Sequence, residues 1–156
     1  MARLVRLGLQ WSSDSELLFL DGRIRYEIGE VVDGISFMRI ATRKAEQEGT
    51  LDPARLLFLG EALLKHGGNE GQSEGLGVIE DSLRQGCLLS AQIADEFVRA
   101  AVDLREYRAI ARGLVRSGGD ANRYELVKAI IPMLADPEMI RFCSAEILDA
   151  FLLSLA

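Results

Sequence analysis

The residues best placed to do chemistry are four arginines in the stretch REYRAIARGLVRSGG at 105–119. Arg105, Arg108, Arg112 and Arg116 recur at i, i+3, i+7 and i+11. On one continuous helix that spacing sets four guanidinium groups on a single stripe roughly 16 Å long. Guanidinium is a permanently charged planar fork that matches carboxylate and phosphate oxygens. The row therefore suits an RNA backbone or an acidic protein partner. It also suits a solvated helix face, with Asp103 and Glu106 as neighbouring counter-charges. Arg23 and Arg25 make a second, smaller cationic spot.

Little else in the chain invites catalysis. The one histidine, His66, closes the apolar run ALLKHGG, where a helix C-terminus favours a cation. One histidine and two distant cysteines, Cys87 and Cys143, cannot supply a four-ligand metal site, and there is no CxxC pair. The glycine-rich GGNEGQSEGLG lacks the GK[ST] ending of a phosphate loop and reads as a flexible connection. The pairs Asp95/Glu96 and Glu80/Asp81 read as surface carboxylates. The expectation is a non-enzymatic protein with no cofactor and no metal.

Net charge is −6, which disfavours a nucleic-acid partner in bulk, but residues 1–44 hold seven basic against six acidic side chains. The hydrophobic fraction of 49% with only 6% aromatic predicts a core of Leu, Ile, Val and Ala. No apolar run approaches the ~18 residues of a membrane span, and MARLVRLGLQW lacks the continuous apolar region of a signal peptide. These features predict a cytoplasmic chain without a membrane partner.

The elements that would carry these residues divide in two. Residues 3–11 alternate, with Val5, Leu7, Leu9 and Trp11 on one side, as in a half-buried strand. In ELLFLDGRIRYEI (16–28), Arg23, Arg25 and Glu27 alternate with Ile24, Tyr26 and Ile28. With Asp21-Gly22 supplying a type I′ turn, this predicts a β-hairpin. A second Asp-Gly at 33–34 predicts another short strand pair near 30–32 and 35–40, and 42–50 reads as a polar link.

From Asp52 the pattern is helical. Asp52-Pro53 opens a helix that Gly67-Gly68 closes, 69–75 reads as a loop and 76–86 as a short helix. Ser90 caps 91–104; further helices span 105–119 and 121–135, the latter kinked or ended by Pro132, and a last one opens at Asp136-Pro137. The fold class expected is α+β: an N-terminal antiparallel β-meander (1–44) packed on a bundle of five to six helices (52–156) in one compact domain. LLFL recurs at 17–20 and 56–59, but the alignment fails beyond those letters. An all-α, tetratricopeptide-like helical repeat is therefore the alternative.

With a hairpin at 16–28, the chain resembles the FlbT family of flagellar regulators, which opens with a strand and hairpin of the form E-x-I-x-I-N-G-x-V. Glu16, Leu18, Leu20, Asp21, Gly22 and Ile24 occupy those places. Asp52, Pro53, Leu57 and Phe58 stand near the family's T-P-x-x-x-L-Y-F. Arg105, Tyr107, Ala109, Ile110, Ala111 and Leu114 stand near its G-x-Y-Y-x-A-L-K-x-x-R. The match covers residues 3–119 in outline; 29–52 depart from the family, and 121 onwards has no counterpart. The resemblance implies a post-transcriptional regulator of flagellin expression that binds the flagellin mRNA leader, directly or with a partner.

The competing reading is an acidic helical protein-interaction module, such as a secretion or flagellar export chaperone or an adaptor. Its grip would come from apolar grooves, with Ile147, Leu148, Phe151 and Leu152 of the C-terminal helix facing a partner or a second copy in a homodimer. The plainer role for that helix is to complete the bundle.

Overall fold

The computed structural model describes residues 14–116, 119–135 and 137–142, and every regular element among them is helical. In chain order these are α1 (Ser15–Glu27), α2 (Val31–Glu48), α3 (Pro53–His66), α4 (Gly68–Arg84), α5 (Ala91–Asp103), α6 (Tyr107–Arg116) and α7 (Asp120–Ile130). A 3-10 turn (Ile131–Ala135) and the short α8 (Pro137–Phe142) come last. Among the described residues the fold is all-α, so the α+β expectation is overturned and its all-α alternative fits. The strand expected over 3–11 and the groove residues Ile147, Leu148, Phe151 and Leu152 lie outside the described residues.

The expected meander is two packed helices. Asp21-Gly22 and Asp33-Gly34, both read as turns, lie inside α1 and α2. Their glycines are where the two helices cross. A Cβ on Gly22 would sit 2.8 Å from the Met38 amide nitrogen and 2.9 Å from the Gly34 carbonyl oxygen. A Cβ on Gly34 would sit 2.6 Å from the Tyr26 amide nitrogen. Glycine is required for backbone approach, the second of its uses beside turn formation. The charges that alternate across 21–27 also satisfy helical spacing: Arg25 pairs with Asp21 at 2.9 Å and Arg23 with Glu27 at 2.8 Å, each four residues apart.

The same physics rewrites 68–84. The segment expected to be a loop and a short helix is one helix, α4. Its glycines continue the buried stripe Gly71, Gly75, Ile79 and Leu83 at four-residue intervals. Gly75 lets α4 close on α3, where a Cβ would lie 3.1 Å from the Gly60 carbonyl oxygen and from Leu63 Cβ.

The helix starts read at Asp52 and Ser90 and the break at Pro132 hold. The Asp52 side chain accepts from the Ala54 N–H at 2.9 Å, with Pro53 at the first helical position. Ser90 Oγ accepts from the Ile93 N–H at 3.2 Å. α7 ends at Ile130, two residues before Pro132, and gives way to the 3-10 turn.

The helices form hairpins that stack. α1 packs on α2, α3 on α4 and α5 on α6. The second helix of each hairpin also packs on the next helix in the chain: α2 on α3, α4 on α5, α6 on α7. The two LLFL segments occupy matching places in α1 and α3. Phe19 and Phe58 meet edge-to-face with centroids 6.4 Å apart, and Glu16 and Arg55, also 39 residues apart, form a 2.7 Å salt bridge. Two core clusters result, and α3 joins them: Leu63 belongs to the one shared with α1 and α2, Leu64 to the one shared with α4–α7.

Candidate functional site

Three of the four arginines of the 105–119 stretch lie on α6, and the fourth precedes it. Arg105 stands between α5 and α6 with φ of +56°, while its N–H donates to the Val102 carbonyl at 3.0 Å. This left-handed position just past a helix end is one that glycine usually fills. From there Arg105, Arg108 and Arg112 line one depression of about 310 Å³ at the start of α6. Arg112 and Arg116 line the next, of about 320 Å³, with Ala111 and Val115. The four thus share one face, although not one continuous helix.

That face is anchored from below by a residue expected on the surface. Glu80, on α4, is only 3% exposed, whereas its neighbour Asp81 is exposed. Arg112 donates to both Glu80 carboxylate oxygens, with Nε at 2.9 Å from Oε2 and Nη2 at 3.0 Å from Oε1. Arg116 Nη1 donates to Oε2 at 2.5 Å. A buried carboxylate persists where such charge-assisted bonds fill its lone pairs. The bond to Glu80 holds the Arg112 pKa above its already high ordinary value. Glu106 accepts from Ser73 Oγ of α4 at 2.7 Å. The four arginines are thus gathered on one face of a chain whose net charge is −6.

The second cationic spot is used internally. Arg23 pairs with Glu27 and lies 4.8 Å from the Phe58 ring centroid. Arg25 binds Asp21 and Glu30, at 2.9 and 3.2 Å, and covers Phe37. Its bond to buried Asp21 raises the Arg25 pKa.

Two larger grooves balance their own charges. The one between α2, α3 and α4, about 360 Å³, is floored by Leu56 and Leu59 and crossed by the fork that Arg39 makes on Glu74. The one between α1 and α3, about 440 Å³, is spanned by Glu16 and Arg55.

Among the described residues no group of three or more His, Cys, Asp and Glu is placed to hold a metal ion. No helix there is long and apolar enough to cross a membrane. His66 is the last residue of α3 and meets Tyr26 edge-on at 5.6 Å. Cys87 is a free, half-buried thiol. A structural polar site missed in the sequence is Asn122, which is 3% exposed. Its Oδ1 accepts from the Leu89 N–H and its Nδ2 donates to the Cys87 carbonyl, both at 2.7 Å, clamping the α4–α5 connection to α7.

The segment that carries most of the FlbT resemblance, residues 16–28, falls almost wholly on helix α1, so the strand-turn-strand implied for it is absent. Comparison of the chain with protein-family models, curated proteins and solved structures found no significant match.

Proposed function

We propose that the chain is a non-enzymatic helical interaction module that docks an acidic segment of a partner protein along the arginine face at α6. The observation that carries this reading is the shared depression lined by Arg105, Arg108 and Arg112, continued by Arg116. Arginines clustered on one face of an acidic protein select negatively charged partners and steer their approach. Stacked hairpins support the reading because they are rigid and present one helix face as a continuous surface.

The test is fluorescence anisotropy with a labelled Glu/Asp-rich peptide. Binding is expected at low salt, weakening as salt rises, and it is expected to fall in Arg105→Glu and Arg108→Glu. A peptide that fails to bind at low ionic strength would overturn the reading. A flagellin-leader RNA retained in a gel shift under the same conditions would instead favour the post-transcriptional regulator that the family resemblance implies.

A further inference from the structure

We infer that the depression formed by Arg105, Arg108 and Arg112 is a phosphate-ester site, and that the acidic partner is recognised through a phosphorylated side chain. This rests on the interaction-module reading and names the group that the α6 face takes.

The geometry separates phosphate from carboxylate. The three arginines come from a left-handed linker residue and from two positions four residues apart on α6, yet all line one space of about 310 Å³. A carboxylate offers two oxygens in one plane, and Glu80 already fills that role for Arg112 and Arg116. A phosphate ester offers three strongly accepting oxygens in a tetrahedral array and carries nearly two negative charges at neutral pH. Guanidiniums arriving from different backbone positions suit the second. The space suits a modified side chain and is far too small for a folded domain.

The acidic groups at the site are already engaged. Glu80 lies beneath Arg112, held by it and by Arg116. Glu106 also lines the depression, and its Oε1 accepts from Ser73 Oγ at 2.7 Å. Arg105, by contrast, has no ion pair among the described residues, and it occupies a backbone position that glycine would fill with less strain. A cation kept in a left-handed conformation, where glycine would stabilise the turn, is consistent with a role for its side chain in binding.

That conformation supplies a clean variant. Arg105→Gly removes the guanidinium while easing the backbone, so the protein is expected to fold at least as well as the parent. Full-length protein would be titrated with one peptide in three forms, bearing phosphoserine, serine or glutamate at the central position, and with inorganic phosphate as competitor. The phosphoserine form is expected to bind at least about tenfold more tightly than the glutamate form. Phosphate should displace it, and Arg105→Gly should weaken it with no loss of melting temperature. Equal binding of the glutamate and phosphoserine forms would overturn the phosphate site while leaving the interaction module standing. Failure of all three peptides would overturn both. Single-stranded RNA of mixed sequence, bound more tightly than the phosphopeptide, would place the phosphate in a nucleic acid and overturn the protein-partner assignment.

Discussion

Glu80 and Asn122 show how a single buried polar side chain fixes the position of its neighbours. Glu80 carries two arginines, and without it Arg112 and Arg116 would lose four hydrogen bonds. Glu80→Ala is expected to lower unfolding free energy by about 1–3 kcal/mol, read from urea denaturation, because Arg112 is open enough to recover water. The same change removes one negative charge from beneath the α6 face, so acidic-peptide affinity should rise as stability falls. Asn122→Ala leaves the buried Leu89 N–H and the Cys87 carbonyl without their partner, and a loss of about 1–3 kcal/mol is expected by the same measurement. Neither residue announces itself in the sequence. An acidic residue beside Asp81 and an asparagine early in a helix are common on surfaces, and only the opposing element decides otherwise.

At the scale of the helix, glycines decide how closely the elements pack. Gly22→Ala forces a methyl group into the backbone of α2, and overpacking of this kind costs about 1–3 kcal/mol, more than the gain in helix propensity returns. Gly77→Ala is the control, because a Cβ there meets nothing within 4 Å on an exposed face of α4. It is expected to raise stability by about 0.5–1 kcal/mol. A fall in thermal midpoint for the first and a rise for the second would be read by circular dichroism. α1 is the element the sequence concealed most completely. Its inner face carries Phe19 and Tyr26, but Leu20 on the outer side and Ile28 at the C-cap are exposed, so no single apolar stripe marks it as a helix. The period-two alternation after Asp21-Gly22 filled that gap with a strand reading. The competing signal was present in the i, i+4 charge pairs Asp21–Arg25 and Arg23–Glu27. In α4 the small residues hid the stripe, since glycines at helical spacing resemble a flexible loop until the closeness of α3 is known.

Across the whole molecule, the stack is joined by contacts between first helices of successive hairpins. Tyr26 of α1 packs on Phe58 and His66 of α3, while Lys65 of α3 bridges Glu61 and Glu96, the latter on α5. Burial raises the Tyr26 pKa, so the neutral phenol is favoured in the folded state. Its contribution is complete below the ordinary tyrosine value of about 10 and is lost as pH climbs through the higher folded value. The bond to Glu61 raises the Lys65 pKa, which places its loss on the same alkaline side. Melting temperature is therefore expected to fall above about pH 10, and less steeply in Tyr26→Phe, which has no phenol to ionise. An identical alkaline fall in the variant would show that Tyr26 does not contribute. By itself the sequence determined the caps at Asp52 and Ser90, the break at Pro132, the apolar core composition and the arginine spacing. Each of these depends on groups within a turn or two of one another. Tertiary structure alone decided that 15–48 is a helix pair, that 68–84 is one helix, that Glu80 is buried and that three arginines share one depression. The physical reason is common to all four. Whether a glycine turns the chain or admits a neighbour, and whether a carboxylate faces water or a guanidinium, depends on an opposing helix that local sequence does not contain.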